Sequence, residues 1–257
     1  MTALLEAKQL RKTFGGLVAT NDLSFHVKDG ETLGLIGPNG AGKTTIFNLL
    51  TNELPLDSGE ITLDGQVINA LPVHKRVQRG LVRTYQVPRP FAEMTVLENI
   101  RVSMMPDALW PMISQPADRE TEIQLASSVG FRSDQLQRYP SELAMGDLRK
   151  LELARSLATQ PRILLLDEVF AGLTYGEIEQ ISSLILERKK QGMTFMIVSH
   201  DLKALAPLVD RVMVLSFGQT IAEGSFEEVI GNKQVQDAYL GSSVSKSVAG
   251  TAPGDQS

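Results

Sequence analysis

The glycine-rich stretch Gly37-Pro38-Asn39-Gly40-Ala41-Gly42-Lys43-Thr44-Thr45 fits the pattern G-x-x-x-x-G-K-[ST] of a phosphate-binding loop. The apolar residues 32–36 before it predict a short buried strand, and the apolar spacing of residues 43–50 predicts a helix after it. A strand, a glycine-rich loop and a helix in this order are the context in which the pattern binds nucleotide phosphates. We therefore expect all nine residues to contribute to a nucleotide site.

The residue types in this loop suit the binding of phosphate. Glycines allow the backbone to curl so that successive N–H groups point at phosphate oxygens, and the following helix adds its positive N-terminal end. Lys43 is expected to reach the β- and γ-phosphates, and Thr44 to offer its hydroxyl to Mg²⁺. A chance glycine loop is the alternative, which the flanking strand and helix disfavour.

A second signal is Ile163-Leu164-Leu165-Leu166-Asp167-Glu168, an apolar run that ends in two acids. The run predicts a buried parallel strand, and ligands of open α/β sheets bind at the carboxyl ends of such strands. Asp167 is expected to hold Mg²⁺ through water, and Glu168 to polarise the attacking water. Two acids that merely cap a strand are the alternative, which a phosphate-loop pattern in the same chain disfavours.

The rest of the pattern predicts an α/β fold with a phosphate-loop core. Further strands are expected at 4–10, 23–27, 59–63, 81–85, 194–198, 211–215 and 220–222, the last two as a hairpin. Prolines between stretches of helical spacing predict a mostly helical insertion at about 87–158. Helices are expected at 96–102, 147–158 and 177–190. Residues 241–257 are small and polar, so we expect a flexible C-terminal tail after a domain of residues 1–240.

The composition excludes several classes of site. The 257 residues carry 25 basic and 30 acidic side chains, and a net charge of −5 argues against a nucleic-acid binder. The absence of cysteine excludes disulfides and thiolate chemistry, and three histidines are too few for a multi-histidine metal centre. No apolar run approaches the ~18 residues of a membrane span, and the first residues lack a signal-peptide pattern. We therefore expect a cytoplasmic protein, peripheral if it serves a membrane process.

Taken together, the motifs resemble the ATP-binding subunit of an ABC transporter over about residues 5–240. The resemblance implies an ABC-type core with an N-terminal antiparallel β subdomain and an inserted helical subdomain, which binds ATP and Mg²⁺. Phe14 matches the aromatic residue that stacks on adenine, Gln86 the glutamine that senses Mg²⁺ and the γ-phosphate, and His200 the switch histidine. The implied catalytic residues are Glu168, His200 and Gln86, and the implied Mg²⁺ ligands are Thr44, Gln86 and Asp167.

The family signature Leu-Ser-Gly-Gly-Gln is present in a modified form, Leu143-Ala144-Met145-Gly146-Asp147. Ala144 lacks the hydroxyl that would donate to a γ-phosphate, but backbone N–H groups at the start of the following helix can still face an anion. Asp147 is expected to point away from that anion. The loop at 169–174 also departs from the family, with Thr174 where an acid is usual.

In these departures and in three further stretches, the chain resembles the LivG-type subfamily of branched-chain amino acid importers. The stretches are Gly-Leu-Val-Ala at 16–19, Phe-Ala-Glu-Met-Thr-Val-Leu-Glu-Asn at 91–99 and Leu-Glu-Leu-Ala-Arg at 151–155. The resemblance implies that each ATP lies between one subunit's phosphate loop and the signature segment of another. The implied partners are transmembrane permease subunits, a second ATP-binding subunit, and indirectly a periplasmic or extracellular solute-binding protein. A heterodimer is favoured over a homodimer, no nucleic acid is expected, and the location is the inner face of the cell membrane.

Two other classes of function remain as alternatives. Soluble ABC-type ATPases that act on ribosomes or DNA usually carry two such domains or long coiled-coil insertions, and neither is present here. A small-molecule kinase with a phosphate loop would need a substrate lobe and would lack the series of Gln86, signature segment and His200.

Overall fold

The computed structural model describes residues 3–85, 87–105 and 119–239, and the predicted tail at 241–257 lies outside the described residues. The strands are β1 (Ala3–Phe14), β2 (Leu17–Lys28), β3 (Thr32–Ile36), β4 (Ser58–Leu63), β5 (Gln66–Val67), β6 (Leu81–Arg83), β7 (Ile163–Asp167), β8 (Thr194–Val198), β9 (Arg211–Ser216) and β10 (Gln219–Gly224). The helices are α1 (Lys43–Thr51), α2 (Val73–Gln78), α3 (Val96–Met104), α4 (Arg119–Ser128), α5 (Met145–Ala158), α6 (Tyr175–Lys190), α7 (Leu202–Leu205) and α8 (Phe226–Ile230). Residues 233–239 form a further helix, α9.

The antiparallel sheet has the strand order β2-β1-β4-β5 and is built on a long hairpin. The sequence predicted its first two strands only at 4–10 and 23–27, but their pairing continues to Phe14 and Leu17. Gly15 begins the turn with a φ of +57°, a conformation that glycine adopts at little cost. Because the hairpin extends this far, Phe14 lies at its exposed tip.

The second sheet has the order β10-β9-β3-β8-β7-β6, and only β10 runs antiparallel to its neighbour, in the predicted hairpin with β9. Leu35 of β3 pairs with Val198 of β8, which in turn pairs with Asp167 of β7. The carboxyl ends of three strands therefore meet at one edge, where the loop after β3 begins. This register brings the two motifs identified in the sequence together.

The parallel sheet is buried on both faces, as the apolar run before Asp167 predicted. Ile163 and Leu165 belong to the core shared with the antiparallel sheet and α1. Leu164 and Leu166, which point the other way, belong to the core beneath the later helices. Packing on both sides gives the loop after β3 a rigid base.

The described part of residues 87–158 contains α3, α4 and α5 and no strand. A capping box begins α3, because Thr95 accepts from the Glu98 backbone and the Glu98 carboxylate accepts from the Thr95 backbone at 2.8 Å. Arg101 of α3 then forms an ion pair with the buried Glu122 of α4 at 2.6 Å. Of the residues that the structure describes, no helix has the length and apolar character to span a bilayer.

A buried arginine holds the C-terminal end of α1, the helix that follows the phosphate loop. The Arg76 guanidinium donates to the carbonyl oxygens of Leu49 at 2.9 Å and Leu50 at 2.5 Å, in the last turn of the helix, where carbonyl groups lack regular helical donors. The Leu49 carbonyl also accepts from the N–H of Asn52 at 3.2 Å. The Arg76 guanidinium donates in addition to the carbonyl oxygens of Asn69 and Leu71, both at 3.1 Å. Burial lowers the pKa of Arg76 to about 10, so the group still carries its charge at neutral pH.

Replacing Arg76 with methionine is expected to lower the free energy of unfolding by about 3 kcal/mol, because four carbonyl groups lose a charged donor. Urea unfolding followed by circular dichroism measures the change. Arg79→Met is the matched control, because Arg79 is exposed and donates to the Gln66 side chain. The control is expected to lose less than about 1 kcal/mol, and equal losses in the two variants would contradict the capping role.

Candidate nucleotide-binding site

The loop between β3 and α1 contains two glycines that neighbouring strands make necessary. Gly37 has a φ of +150°, and a Cβ on it would lie 2.3 Å from the carbonyl oxygen of Leu215 in β9. Gly42 has a φ of +106°, and a Cβ on it would lie 2.7 Å from the carbonyl oxygen of Ala19 in β2. The loop is therefore confined between β9 and β2, and no residue with a side chain fits at either position without a shift of backbone.

Lys43, the first residue of α1, folds back onto this loop. Its Nζ donates to the carbonyl oxygens of Gly37 at 2.7 Å and Pro38 at 3.0 Å. Burial lowers the pKa of Lys43 from its ordinary value, and the carboxylates of Glu168 and Asp167 oppose that shift. A half-buried ammonium group between carbonyl oxygens and two acids is well placed to meet an incoming anion.

The loop, the hairpin tip and the end of β7 enclose a cavity of about 450 Å³, within the size range of small-molecule sites. Its lining combines apolar, hydroxyl and charged groups, and consists of Phe14, Leu17, Val18, Ala19, Asn39, Gly40, Ala41, Gly42, Lys43, Thr44, Thr45, Asp167, Glu168, Val198 and Phe217. Most of the residues predicted to bind the nucleotide thus border one cavity, while Gly37 and Pro38 face Lys43 through their carbonyl groups.

Asp167 is buried at the end of β7 and forms an ion pair with Arg83 at 2.7 Å. The Arg83 guanidinium also donates to the Asn48 side chain at 2.5 Å and lies 5.5 Å from the ring centres of both Phe47 and Tyr85. Sequence analysis missed Arg83, although its position at the carboxyl end of β6, beside β7, could have suggested a partner for the acid. The ion pair fixes the Asp167 carboxylate at the edge of the cavity.

Glu168, the next residue, has a left-handed backbone with a φ of +53°. Its N–H donates to the Val198 carbonyl at 2.9 Å, and its Oε2 lies 2.6 Å from Nδ1 of His200. Arg149 of α5 donates to its carbonyl oxygen at 3.2 Å. His200 is 73% exposed and does not line the cavity within the described part of the chain, so it reaches the site through Glu168.

The signature segment lies at the start of α5, which begins two residues earlier than predicted. Ala144 precedes the helix without a side-chain cap, and Met145 is exposed. Asp147 accepts from Lys150 at 3.1 Å and from the Gln135 amide at 3.2 Å, so its carboxylate is held by partners within the subunit. Of the cavity lining in the described residues, none comes from 143–147.

Thr174 has a structural role that accounts for its departure from the family pattern. It precedes α6, and its N–H and hydroxyl both donate to the Glu177 carboxylate at 2.8 Å in a capping box. Glu177 also pairs with Lys150 at 2.7 Å. A single lysine thereby ties the start of α6 to the signature segment through Asp147.

One predicted residue cannot be placed and one unpredicted residue stands out. Gln86 lies outside the described residues. Phe217 lines the cavity but belongs to none of the motifs identified in the sequence, so sequence analysis missed it. Its side chain is 89% exposed, and its backbone has a φ of +46°. A bulky residue in this conformation costs about 1 kcal/mol. The sequence did contain a signal for Phe217. Hairpin turns before a glycine favour asparagine or aspartate, so an aromatic residue at this position is unusual.

Known proteins with similar sequences are ATP-binding proteins of transporters, in agreement with the geometry of this site. A sequence profile described as ABC transporter matches residues 20–171, and one described as branched-chain amino acid ATP-binding cassette transporter matches residues 219–245. BraF of Pseudomonas aeruginosa, a high-affinity branched-chain amino acid transport ATP-binding protein, is 37% identical over 93% of this chain and 98% of BraF. LivG of Salmonella typhimurium, of the same description, is 38% identical over the same shares.

The solved structure of MJ1267, an ATP-binding cassette of an ABC transporter in its ADP conformation, is also similar. It is 30% identical, the match covers 94% of this chain and 100% of MJ1267, and the TM-score is 0.81.

The chain belongs to the ABC transporter family. The family and the fold predicted from the sequence are thereby confirmed, and the activity is that of an ABC ATPase.

The ABC family implies Mg²⁺ beside the nucleotide, and the residues of this cassette suit it. Thr44 supplies a hydroxyl oxygen and Asp167 a carboxylate oxygen to the same cavity. Mg²⁺ prefers oxygen ligands and commonly takes one or two from the protein, with phosphates and water completing its shell. The described residues contain no cluster of three or more acids and histidines that could hold a metal.

The Lys150–Glu177 contact predicts a pH-dependent stability for this cassette. The hydrogen bond from Lys150, together with those from the Thr174 backbone and hydroxyl, lowers the pKa of Glu177 from 4.5 to about 2. A lowered folded-state pKa stabilises the protein fully above about pH 4.5, and the contribution disappears as the pH falls toward 2. Glu177→Gln is therefore expected to lower the free energy of unfolding by about 1 kcal/mol at pH 7, with the difference from wild type shrinking below pH 4.

Glutamine can still complete the capping box, so this substitution isolates the ion pair. Glu228→Gln is the matched control, because Glu228 has the same position in the capping box of α8 with Ser225. Chemical unfolding at several pH values measures both variants. A loss at Glu177 that is independent of pH, or no larger than at Glu228, would rule out the ion pair as its cause.

Proposed function

We propose that this ABC cassette drives uptake of branched-chain amino acids, or of a related small solute, through transmembrane permease subunits. The observation that carries the solute class is the match of residues 219–245 to the branched-chain amino acid profile. The similarity to BraF and LivG over almost the whole chain supports it. The alternative of a soluble ATPase on ribosomes or DNA is not favoured by these relatives or by the net charge of −5.

In this proposal ATP occupies the cavity of about 450 Å³. Phe14 at the hairpin tip stacks on adenine, and the loop residues 37–45 surround the phosphates with backbone N–H groups. Lys43 exchanges the carbonyl oxygens of its own loop for oxygens of the β- and γ-phosphates. Such charge-assisted contacts are roughly twice as strong as neutral hydrogen bonds, which favours the exchange.

Thr44, Asp167 and Gln86 are the proposed ligands of Mg²⁺, directly or through water. When bound, Mg²⁺ neutralises charge that develops on the β- and γ-phosphates. The ion pair with Arg83 fixes the Asp167 carboxylate at the edge of the cavity, which supports its assignment.

Glu168 is the proposed base for hydrolysis. Its carboxylate orients a water molecule for in-line attack on the γ-phosphorus and takes up the water proton, while ADP leaves with the electron pair of the broken bond. His200 holds the carboxylate through Nδ1 and faces the γ-phosphate. The contact of 2.6 Å between the two side chains supports this pairing of roles.

One chain contributes only half of each complete ATP site. The signature residues Leu143, Ala144, Met145, Gly146 and Asp147 lie outside the cavity of their own subunit, which supports a role toward the ATP of a partner subunit. Because Lys150 and Gln135 hold the Asp147 side chain, backbone N–H groups at the start of α5 are left to meet phosphate. We favour a heterodimer with a related ATP-binding chain over a homodimer.

Closure of the two cassettes on ATP and their reopening after hydrolysis are transmitted to the permease subunits through Gln86 and the helical subdomain. A periplasmic or extracellular solute-binding protein delivers the solute on the other side. This arrangement locates the cassette at the inner face of the cell membrane.

Glu168→Gln is expected to bind MgATP within about twofold of wild type and to lose at least about 100-fold in kcat, because the base is lost while the phosphate contacts remain. Titration calorimetry and a phosphate-release assay on the assembled transporter measure the two effects. Normal turnover by this variant would sink the assignment of Glu168.

Lys43→Ala is expected to raise the Kd for ATP by about 10- to 100-fold, since a charged hydrogen-bond donor to phosphate is removed. Lys8→Ala, on β1 and outside the cavity lining, is the matched control and is expected to leave the Kd unchanged. Similar Kd values for both variants would show that the loop does not bind the phosphates.

The solute class is tested by using the tagged chain as bait in detergent-solubilised membranes and identifying every co-purified protein. We expect two multi-span proteins, a second ATP-binding chain and a solute-binding protein, and leucine, isoleucine and valine as ligands of the last. Recovery of ribosomal or DNA-associated partners without a membrane protein would overturn the transport proposal and leave the ATPase assignment intact.

A further inference from the structure

The turn between β9 and β10, Phe217-Gly218, lies between the phosphate loop and strand β2. The N–H of Gly218 donates to the Ala41 carbonyl of the loop at 3.0 Å, and the Gly218 carbonyl accepts from the N–H of Asn21 at 3.1 Å. A Cβ on Gly218 would lie 2.5 Å from the carbonyl oxygen of Ala19, so β2 leaves no room for a larger residue there. Backbone contacts on two sides therefore hold the turn, and with it the point from which the Phe217 side chain extends.

Phe217 gains little from this position by packing within the subunit. Its side chain is almost fully exposed, and it belongs to neither apolar core of the described chain. Its φ of +46° suits asparagine, aspartate or glycine in a hairpin turn and is unfavourable for a bulky residue. Strained residues of this kind cluster at ligand sites. The ring therefore lacks a structural reason inside the subunit, and a ligand contact supplies one.

The nucleotide cavity is where such a contact is available. Phe217 lines it together with three other exposed apolar side chains, those of Phe14, Leu17 and Val18 at the tip of the β1–β2 hairpin. Exposed apolar groups beside polar ones are typical of a ligand-binding groove. The phosphate loop supplies the charged and hydroxyl groups that suit the phosphates, so these four side chains are suited to the planar, less polar part of the nucleotide.

We propose that Phe217 is a second aromatic contact for the base of ATP, in addition to Phe14, and contributes affinity that does not come from the phosphates. Aromatic rings stack on the faces of bases, and because every base has a π-face such a contact adds affinity without selecting one base. The fixed turn holds the ring at the cavity before the nucleotide arrives, which lowers the cost of ordering it on binding. The inference rests on ATP binding in this cavity, as proposed above, and adds a residue that lies outside every motif of the sequence.

Phe217→Asn removes the ring and places in the turn a residue that its backbone conformation favours. The variant is expected to raise the Kd for MgATP about 10-fold, the usual effect of losing one stacking contact with a base. Its kcat at saturating MgATP is expected to stay within about twofold of wild type, because the base is contacted equally before and during phosphoryl transfer. Calorimetry on the full chain measures the Kd, and a phosphate-release assay on the assembled transporter measures kcat.

Thermal unfolding separates this role from a structural one. The melting temperature of Phe217→Asn is expected to rise by about 2–4 °C, because asparagine adopts the left-handed conformation at lower cost and little packing is lost. Affinity and stability thus change in opposite directions. Phe217→Tyr keeps the ring and is expected to bind MgATP within about twofold of wild type.

Inorganic tripolyphosphate, which has no base, separates a contact with the base from an effect on the phosphate loop. Its affinity for the Mg²⁺-loaded chain is expected to be the same in wild type and Phe217→Asn. Tyr175→Asn is the matched control, because Tyr175 is also an exposed aromatic residue and does not line the cavity. The control is expected to leave the affinities for MgATP and for tripolyphosphate unchanged.

An unchanged Kd for MgATP in Phe217→Asn, beside a wild type that binds, overturns this inference alone. Equal weakening of MgATP and tripolyphosphate overturns it as well, since the effect would then pass through the phosphate loop. A melting temperature that falls together with the affinity assigns Phe217 a structural role and has the same consequence. A wild-type chain that fails to bind MgATP would overturn the proposed nucleotide site and this inference with it. Weaker binding of MgATP alone, with a higher melting temperature and a silent control, supports the inference.

Discussion

The closeness of β9 to the start of the phosphate loop is the constraint on which the site depends. The carbonyl of Leu215 occupies the space that a side chain at Gly37 would need, and the turn at Gly218 binds the loop again at Ala41. β2 confines the other end of the loop at Gly42. Backbone packing therefore fixes the curl that lets Lys43 reach the loop carbonyls, and a ligand does not have to create it.

The charges at the site are divided between two acids with different surroundings. Asp167 is buried and paired with Arg83, so its carboxylate is fixed and suited to an ion. Glu168 leaves the strand with a left-handed backbone, which directs its carboxylate to His200. Because β7 ends at Asp167, the side chains of Asp167 and Glu168 reach different partners although the two residues are adjacent. Lys43, whose pKa responds to both acids, connects the pair to the loop.

Much of this arrangement could be predicted from the sequence, since the phosphate-loop pattern and the apolar run ending in Asp167 have strong local signatures. Side chains that work through long-range contacts could not be predicted. Arg76 and Arg83 looked like ordinary basic residues, and only the fold brings them to the end of α1 and to Asp167. The β1–β2 hairpin was predicted too short, because Arg11, Lys12 and Thr13 interrupt the apolar pattern of the first strand, and the apolar residues at the tip are exposed and not packed in a core.

The central claim is that this chain holds half of each complete ATP site. ATPase activity per mole of the purified chain, measured against protein concentration at saturating MgATP, tests it most directly. The account predicts very low activity for the dilute chain, rising steeply with concentration or on addition of its paired ATP-binding chain, because a second signature segment must close over each ATP. Full activity that does not change with concentration or with a partner would contradict the claim.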